Sequence, residues 1–363
     1  MRWALPCIGG IAAALFCALM ALGAFPASPS AASAELPSLA LAASPAADPA
    51  SSAFEDVLGN RLAWSRPPAR IVSLSPNLTE MLFAIDCGPR VVGVTRFCDV
   101  PAEADALPEV GGIVDPSLEA IVALAPDLVL ATRGNSLEFL ASLKDLGIPV
   151  YAVDTSGDLN NIPRVIRELG AVTGHPAQAD SLAGRLESRR AKVIARFAGL
   201  APAQRPRVYY GELEGALWTA GPGSFLHNLI EDAGGRNVAG HAPAPWCALS
   251  MEAVTAEDPQ VYLGPCRSAA DEERVRRILS THPVWKATSL GRDPRLFLVD
   301  ENRLLRPGPR TFDVLEEFAA FLHPDSATSA RPESAASASR ETSAHPESAV
   351  GAQSREESPC LKR

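Results

Sequence analysis

Catalytic groups are scarce in this chain, and the residues suited to contacting another molecule are of the recognising kind. The six histidines, His175, His227, His241, His282, His323 and His345, include no pair at metal-ligand spacing. The serine motif GxSxG, the zinc motif HExxH and the phosphate-binding glycine loop are all absent. Gly221-Pro222-Gly223 follows a strand and opens a helix, but Leu226 stands where a dinucleotide fingerprint has its third glycine, so a turn is expected. Ser73 or Ser75 would be the nucleophile of a hydrolase, and no histidine lies at a spacing that supports either. Trp246, in PAPWC, is the best contact candidate, because prolines fix its loop and indole presents a large flat face with one donor. The competing reading packs it against its own half of the protein. Arg133, Arg303, Arg306 and Arg310 either meet carboxylates and amides of a ligand or lie solvated on the surface.

The elements that must hold these groups are marked by a repeat. Residues 117–130, SLEAIVALAPDLVL, recur 133 positions later as SMEAVTAEDPQVYL, with six identities in fourteen. Each copy reads as a capping serine, a short amphipathic helix, a stop at proline and a buried strand. Glu119 and Glu252 therefore fall in the first turns of two matching helices, where a carboxylate complements the positive end of the helix dipole. Duplication argues for a further role, since one exposed acid per half suits a partner made of two like subunits. A second echo pairs DCGPR at 86–90 with DAGGR at 232–236, where a helix is expected to end on glycine before a strand. Two related α/β halves in tandem follow.

In the first half, strands expected over 70–74, 91–94, 128–131 and 150–153 alternate with helices over 78–85 and 137–146. That alternation predicts a parallel sheet covered on both faces. The second half repeats it with strands over 207–210, 216–220 and 296–299 and helices over 224–233, 271–280 and 311–321. Between them, residues 177–200 carry Ala179, Leu182, Leu186, Val193 and Phe197 at helical spacing, enough for a helix of about 36 Å. It is either a strut joining the halves or a surface helix of one. Ligands of parallel α/β sheets bind at the carboxyl ends of the strands. The loops there are 75–77, 97–99, 133–135, 210–214, 242–246 and 302–310, which adds Ser75, Pro76, Phe97, Cys98 and Asn135 to the candidates.

With 363 residues and 47% apolar composition the chain has material for about two domains. A net charge of −9 and the lack of a basic patch exclude a nucleic-acid binder. Uncharged residues 4–24 behind Arg2, with AASA at 31–34, read as an export signal over 1–34, and an uncleaved membrane anchor is the rival reading. Residues 35–65 form an Ala, Ser and Pro linker, with folding expected from about Arg66. The first lobe then covers 66–175, the joining helix 176–204 and the second lobe 205–323. The Ser, Ala, Glu and Pro tail at 324–363 cannot bury enough apolar surface to order itself. After export five cysteines remain, Cys87, Cys98, Cys247, Cys266 and Cys360. A Cys247–Cys266 disulfide is feasible, whereas Cys87 and Cys98 flank a strand of about 13 Å and are too far apart to bridge.

RIVSLSPNLTE, RVVGVT, DPSLEAIVALAPDLVL, AGGRN, the APW that precedes SMEAV, and RPGPR are spread over residues 70–321. Together they resemble the periplasmic substrate-binding proteins of ABC importers that carry iron chelates, haem and cobalamin. The resemblance implies two Rossmann-like α/β lobes with parallel sheets joined by one long backbone helix, and a metal chelate held between them. It implies a periplasmic monomer without cofactor or enzymatic step, which delivers its ligand to a permease dimer with a cytoplasmic ATPase. It also implies a salt-bridge docking role for Glu119 and Glu252. Within the family the likeness is greatest to the cobalamin binders, through TRGN at 132–135 and the Trp246 loop. That puts Trp246, Phe97, Cys98, Arg133, Asn135, Ser75, Pro76 and Arg306 on the ligand side. The cobalamin binder's first-lobe aromatics fall here on Phe97 or Cys98 and on Ile113, and a ferric siderophore or haem is the alternative ligand.

Overall fold

The computed structural model describes residues 52–327. The expected signal or anchor at 1–34, the linker up to residue 51, and the tail beyond 327 with Cys360 lie outside these residues. Residues 52–64 correct the expectation of a linker reaching residue 65. They form an antiparallel hairpin of β1 (Ser52–Glu55) and β2 (Arg61–Trp64), with the Phe54 and Trp64 rings 5.2 Å apart. The Asp56 carboxylate closes the turn by accepting from the Leu58 and Asn60 backbone N–H groups at 2.9 and 2.8 Å, and Gly59 takes a φ of +79° that favours glycine. An Asp ahead of Gly-Asn was the turn signal, hidden in Ala-rich surroundings.

The unit that begins at Pro68 carries two lobes. The first contains β3 (Ile71–Ser73), α1 (Pro76–Ala84), β4 (Val91–Val94), α2 (Leu118–Ala123), β5 (Leu128–Thr132), α3 (Leu137–Asp145), β6 (Val150–Val153) and α4 (Asn161–Thr173). After α5 (Pro176–Phe197), the second contains β7 (Arg207–Tyr210), β8 (Leu217–Ala220), α6 (Phe225–Asp232), β9 (Arg236–Asn237), β10 (Trp246–Leu249), α7 (Met251–Ala256), β11 (Val261–Cys266), α8 (Ala269–Thr281), β12 (Arg295–Asp300), α9 (Glu301–Leu305) and α10 (Thr311–Leu322). Both four-stranded sheets are parallel, in the orders β4-β3-β5-β6 and β9-β7-β11-β12, so each strand of one has a counterpart at the same place in the other. Strands β3, β5 and β6 are buried along their whole length, as a sheet covered on both faces requires.

The duplication runs deeper than residue identities. Ser117 accepts from the Ala120 N–H at 3.2 Å and Ser250 from the Ala253 N–H at 3.1 Å, and Ile121 and Val254 are the buried residues of α2 and α7. The chain leaves each helix through a non-glycine residue at φ +44°, Ala125 and Asp258, directly before Pro126 and Pro259. Such a left-handed residue is costly and needs support. An arginine gives it in each lobe. Arg70 donates to the carbonyls of Leu124 and Ala125 at 2.6 and 3.2 Å, and Arg207 donates to the carbonyl of Asp258 at 2.7 Å. Each guanidinium thus satisfies carbonyls that a helix end leaves without partners.

The second echo needs correction. Helix α1 leaves through Asp86 at φ +62° rather than through Gly88, which opens a 3₁₀ turn (Gly88–Arg90) ahead of β4. Helix α6 leaves through Gly234 at φ +81°, where an added Cβ would meet the Phe197 ring at 2.8 Å and His323 Nε2 at 2.7 Å. The aligned glycines therefore do different work.

Helix α5 spans 22 residues and is tied to both lobes. Gly170 of α4 lies so close to Ala179 that no Cβ fits between the two helices. Arg167 of α4 grips Glu187 at 2.6 and 2.9 Å, while Arg189 reaches Glu316 and Asp313 of α10 at 2.7–2.8 Å. Arg190 joins Asp232 at the end of α6 and Asn160 ahead of α4, each at 2.6 Å. Hydrogen bonds from Arg167 and Arg189 hold the Glu187 and Glu316 carboxyls below the usual carboxylate range.

In the second lobe Trp285 is fully buried, packs 5.3 Å from the Tyr209 ring, and donates its indole N–H to the Leu213 carbonyl at 2.8 Å. Trp285→Ala removes this packing and orphans a buried carbonyl. Urea unfolding is expected to show a loss of about 3–5 kcal/mol, and a loss under about 1 kcal/mol would mean the site collapses around the gap.

Candidate ligand cleft and docking face

Loops at the carboxyl ends of the two sheets meet through charge. Arg310, at the start of α10, makes a two-pronged contact with Glu80 of α1 at 2.6 and 2.8 Å, and the Glu80 side chain is only 5% exposed. Arg306 pairs with Asp99 of the 97–99 loop and stands 3.9 Å from Glu80. Asn302 donates to the other oxygen of Asp99 at 3.2 Å, and Asn77 donates to the Pro307 carbonyl at 3.3 Å. Burial works against the Arg310 charge, but the hydrogen bond and charge of Glu80 outweigh it and hold the guanidinium above its usual range. A planar guanidinium facing a carboxylate with both prongs is the geometry that offsets removing two charges from water. Sequence reasoning placed Arg310, Arg306 and the 97–99 loop near the site but missed Glu80 and both pairings, which join residues 230 and 207 positions apart.

The remaining candidates divide into those that build the site and those that face outward. Ser75 is buried and donates to the Asn77 side chain at 2.6 Å, and Pro76 is the buried first residue of α1. Ser73 is fully buried among Ser75 and Thr79. No histidine is among the hydrogen-bond partners of either serine in the described residues. Asn135 accepts from the Thr132 N–H at 2.8 Å and donates to the carbonyls of Leu74 and Ile113, pinning three loops from a nearly buried position. Cys98 turns inward, its sulfur 3.2 Å from both the Thr79 and Thr95 hydroxyls, and burial pushes its thiol up. Its neighbour Phe97 is 42% exposed, so of these two only Phe97 is open to a ligand. Trp246 is not in a loop as expected but opens β10, paired with Ala220 of β8 in an antiparallel ribbon outside the parallel sheet. It is half-buried, edge-on to Tyr210 and Phe225 of its own lobe at 6.4 and 6.3 Å. The Cys247–Cys266 disulfide that the sequence left feasible is not formed. Cys247 sits on that separate ribbon, opposite Thr219, as a free thiol, and Cys266 ends β11 with a partner other than Cys247.

Electrically the rim is closed. Arginines that follow the sheet strands at their carboxyl ends each face a carboxylate: Arg96 with Asp115 at 2.9 Å, Arg133 with Asp154 at 3.3 Å, Arg267 with Glu301 at 3.4 Å, and Arg303 with Glu317 at 2.7 Å. Arg306 and Arg310 complete the set with Asp99 and Glu80. Glu212 and Glu214, exposed after β7, have no ion-pair partner among the described residues.

Away from this rim, Glu119 and Glu252 are both exposed in the first turns of α2 and α7. Hydrogen bonds from its own backbone N–H and from Ser250 hold the Glu252 carboxyl below the usual range.

The family pattern described as periplasmic binding protein matches residues 71–302, from the start of β3 into α9. The chain belongs to the periplasmic binding protein family. A vitamin B12-binding protein of Salmonella typhimurium is 36% identical over 201 residues, covering 55% of this chain and 73% of the relative. Among solved structures, the periplasmic haem-binding protein RhuT of Roseiflexus superposes with a TM-score of 0.62 at 29% identity, over 71% of this chain and 98% of the other. The periplasmic vitamin B12-binding protein of Vibrio cholerae superposes with 0.57 at 27% identity, over 70% and 97%. Two parallel-sheet lobes in one chain are thus the shared architecture.

In this periplasmic binding protein Glu80→Ala strands the Arg310 guanidinium at the lobe junction. A stability loss of about 2–3 kcal/mol in urea unfolding is expected, discounted from a fully buried pair because Arg310 keeps some exposure. Glu80→Met combined with Arg310→Met, which removes both charges, is expected to cost less than the single change. A single-variant cost near zero would show that the pair does not clasp the lobes.

Proposed function

We propose that this periplasmic binding protein is the exported substrate-binding component of an ABC importer, and that it carries a metal chelate, cobalamin or a related corrinoid, between its lobes to a membrane permease. The ligand class rests on the rim: its arginines are already neutralised, so a ligand rich in neutral amide groups suits it better than one that must be held by its carboxylates. Trp246 on its ribbon and the exposed Phe97 supply the flat apolar faces that a large macrocycle needs. The B12-binding relative at 36% identity supports this choice. Likeness to the Roseiflexus haem binder keeps haem as the second reading. No helix of the described residues is long and apolar enough to cross a membrane.

Titrating the full chain with cyanocobalamin is expected to quench tryptophan fluorescence with submicromolar affinity, and Trp246→Ala to weaken binding about tenfold. If haemin or a ferric siderophore binds and cyanocobalamin does not, the corrinoid reading falls while the carrier reading stands.

Docking on the permease is assigned to Glu119 and Glu252. The helix-dipole role alone explains one acid per helix, but not why both are exposed on helices built alike down to the capping serine and the left-handed exit. Two symmetric acids fit a partner that offers a basic pocket from each of two subunits, and such pairs act on docking more than on folding. Combining Glu119→Arg with Glu252→Arg is expected to abolish uptake and binding to reconstituted permease, with ligand affinity kept within about threefold, roughly 0.7 kcal/mol. Undiminished uptake would return both residues to helix capping.

A further inference from the structure

We propose that Asp99 is a specificity-determining residue: by holding Arg306 across the lobe junction it withholds the guanidinium from anionic chelates and tunes the cleft for uncharged ones. The proposal rests on the carrier reading above and adds to it the charge class of the ligand.

Three observations carry it. Arg306 has its side chain mostly withdrawn from water, at 15% exposure, and points its Nη1 at Asp99 rather than into solvent. Asp99 is itself held, since Asn302 donates to its second oxygen, so both oxygens are engaged by residues of the opposite lobe. The neighbouring charges reinforce the arrangement. Glu80 lies 3.9 Å from the same Arg306 nitrogen, and Arg310 is already committed to Glu80. Two carboxylates thus face one nitrogen of Arg306, and an incoming carboxylate or catecholate would have to displace Asp99 and leave it without its cation near Glu80.

The contacts differ in how readily they exchange. Asp99 is 37% exposed while Glu80 is 5% exposed, so Asp99 is the partner that a competing anion can reach. Exposed ion pairs are weak and exchangeable, whereas a buried pair broken on one side leaves a charge without compensation. Arg310–Glu80 therefore acts as the fixed joint, and Arg306 as the cation guarded by Asp99, in the loop that also carries the exposed Phe97. Discrimination of this kind works by denying the wrong ligand its partner, at little cost to the right one. Removing the Asp99 carboxylate while keeping its shape frees Arg306 to act as an anion site.

The test compares three tetrapyrrole probes on the full chain at low ionic strength: haemin, which carries two propionates, its dimethyl ester, which carries none, and cyanocobalamin. Asp99→Asn is expected to raise haemin affinity at least tenfold, with the dimethyl ester and cyanocobalamin moving less than threefold. Asp99→Glu, which keeps the charge, is expected to keep the rejection, and Asp99→Asn with Arg306→Gln to lose the gain. Asp99→Ser gives the same gain by a second route should the asparagine disturb the loop. No gain for haemin in either Asp99→Asn or Asp99→Ser overturns the proposal. An equal gain for the dimethyl ester also overturns it, because the change would then have opened the cleft rather than freed a cation. Failure of the unaltered protein to bind cyanocobalamin defeats the corrinoid reading alone, since the selective gain for haemin is read separately.

Discussion

A carboxylate almost fully removed from water has to be answered by a cation, and the cation that answers Glu80 comes from the other lobe. That requirement fixes where the start of α10 lies relative to α1. Helix α5 sets a second constraint, because its arginines and glutamates bind α4 on one side and α6 and α10 on the other. Two lobes held at two separate places have far less freedom than two lobes on a hinge.

The same economy appears within each lobe. Matching left-handed residues at Ala125 and Asp258 turn the chain from helix to strand, and Arg70 and Arg207, entering from the first strand of each sheet, secure those turns. Helices α2 and α7 are seated by backbone devices of their own lobes, so each lobe sets the position of its own acid, Glu119 or Glu252.

Much of this was legible in the residues because local rules and global fold agree. Capping serines, stopping prolines and apolar spacing of 3.6 located α2, α7 and the long α5, and short apolar runs located β5 and β6. Other features escaped for physical reasons. Helix α1 ends on Asp86, since aspartate tolerates the left-handed region well enough to replace the glycine two places on. Strand β9 spans two residues, too few for any periodicity, and β10 was read as a proline-fixed loop because its pairing with β8 is not written in either segment alone. Arg306 and Arg310 stand out in the sequence as cleft candidates, but nothing there marks Asp99 and Glu80 as their partners. An ion pair joining residues more than two hundred positions apart is a property of the folded arrangement.

The ribbon of β8 and β10 is the one sheet of the second lobe with no counterpart in the first. It hangs on the duplicated frame without contributing to its strand order, and it carries two half-buried tryptophans, Trp218 and Trp246. A scaffold copied twice and decorated once separates inheritance from adaptation: drift in the ribbon can change its exposed face while the duplicated frame stays as it was. Relatives with one frame and different cargoes are the expected outcome of that division.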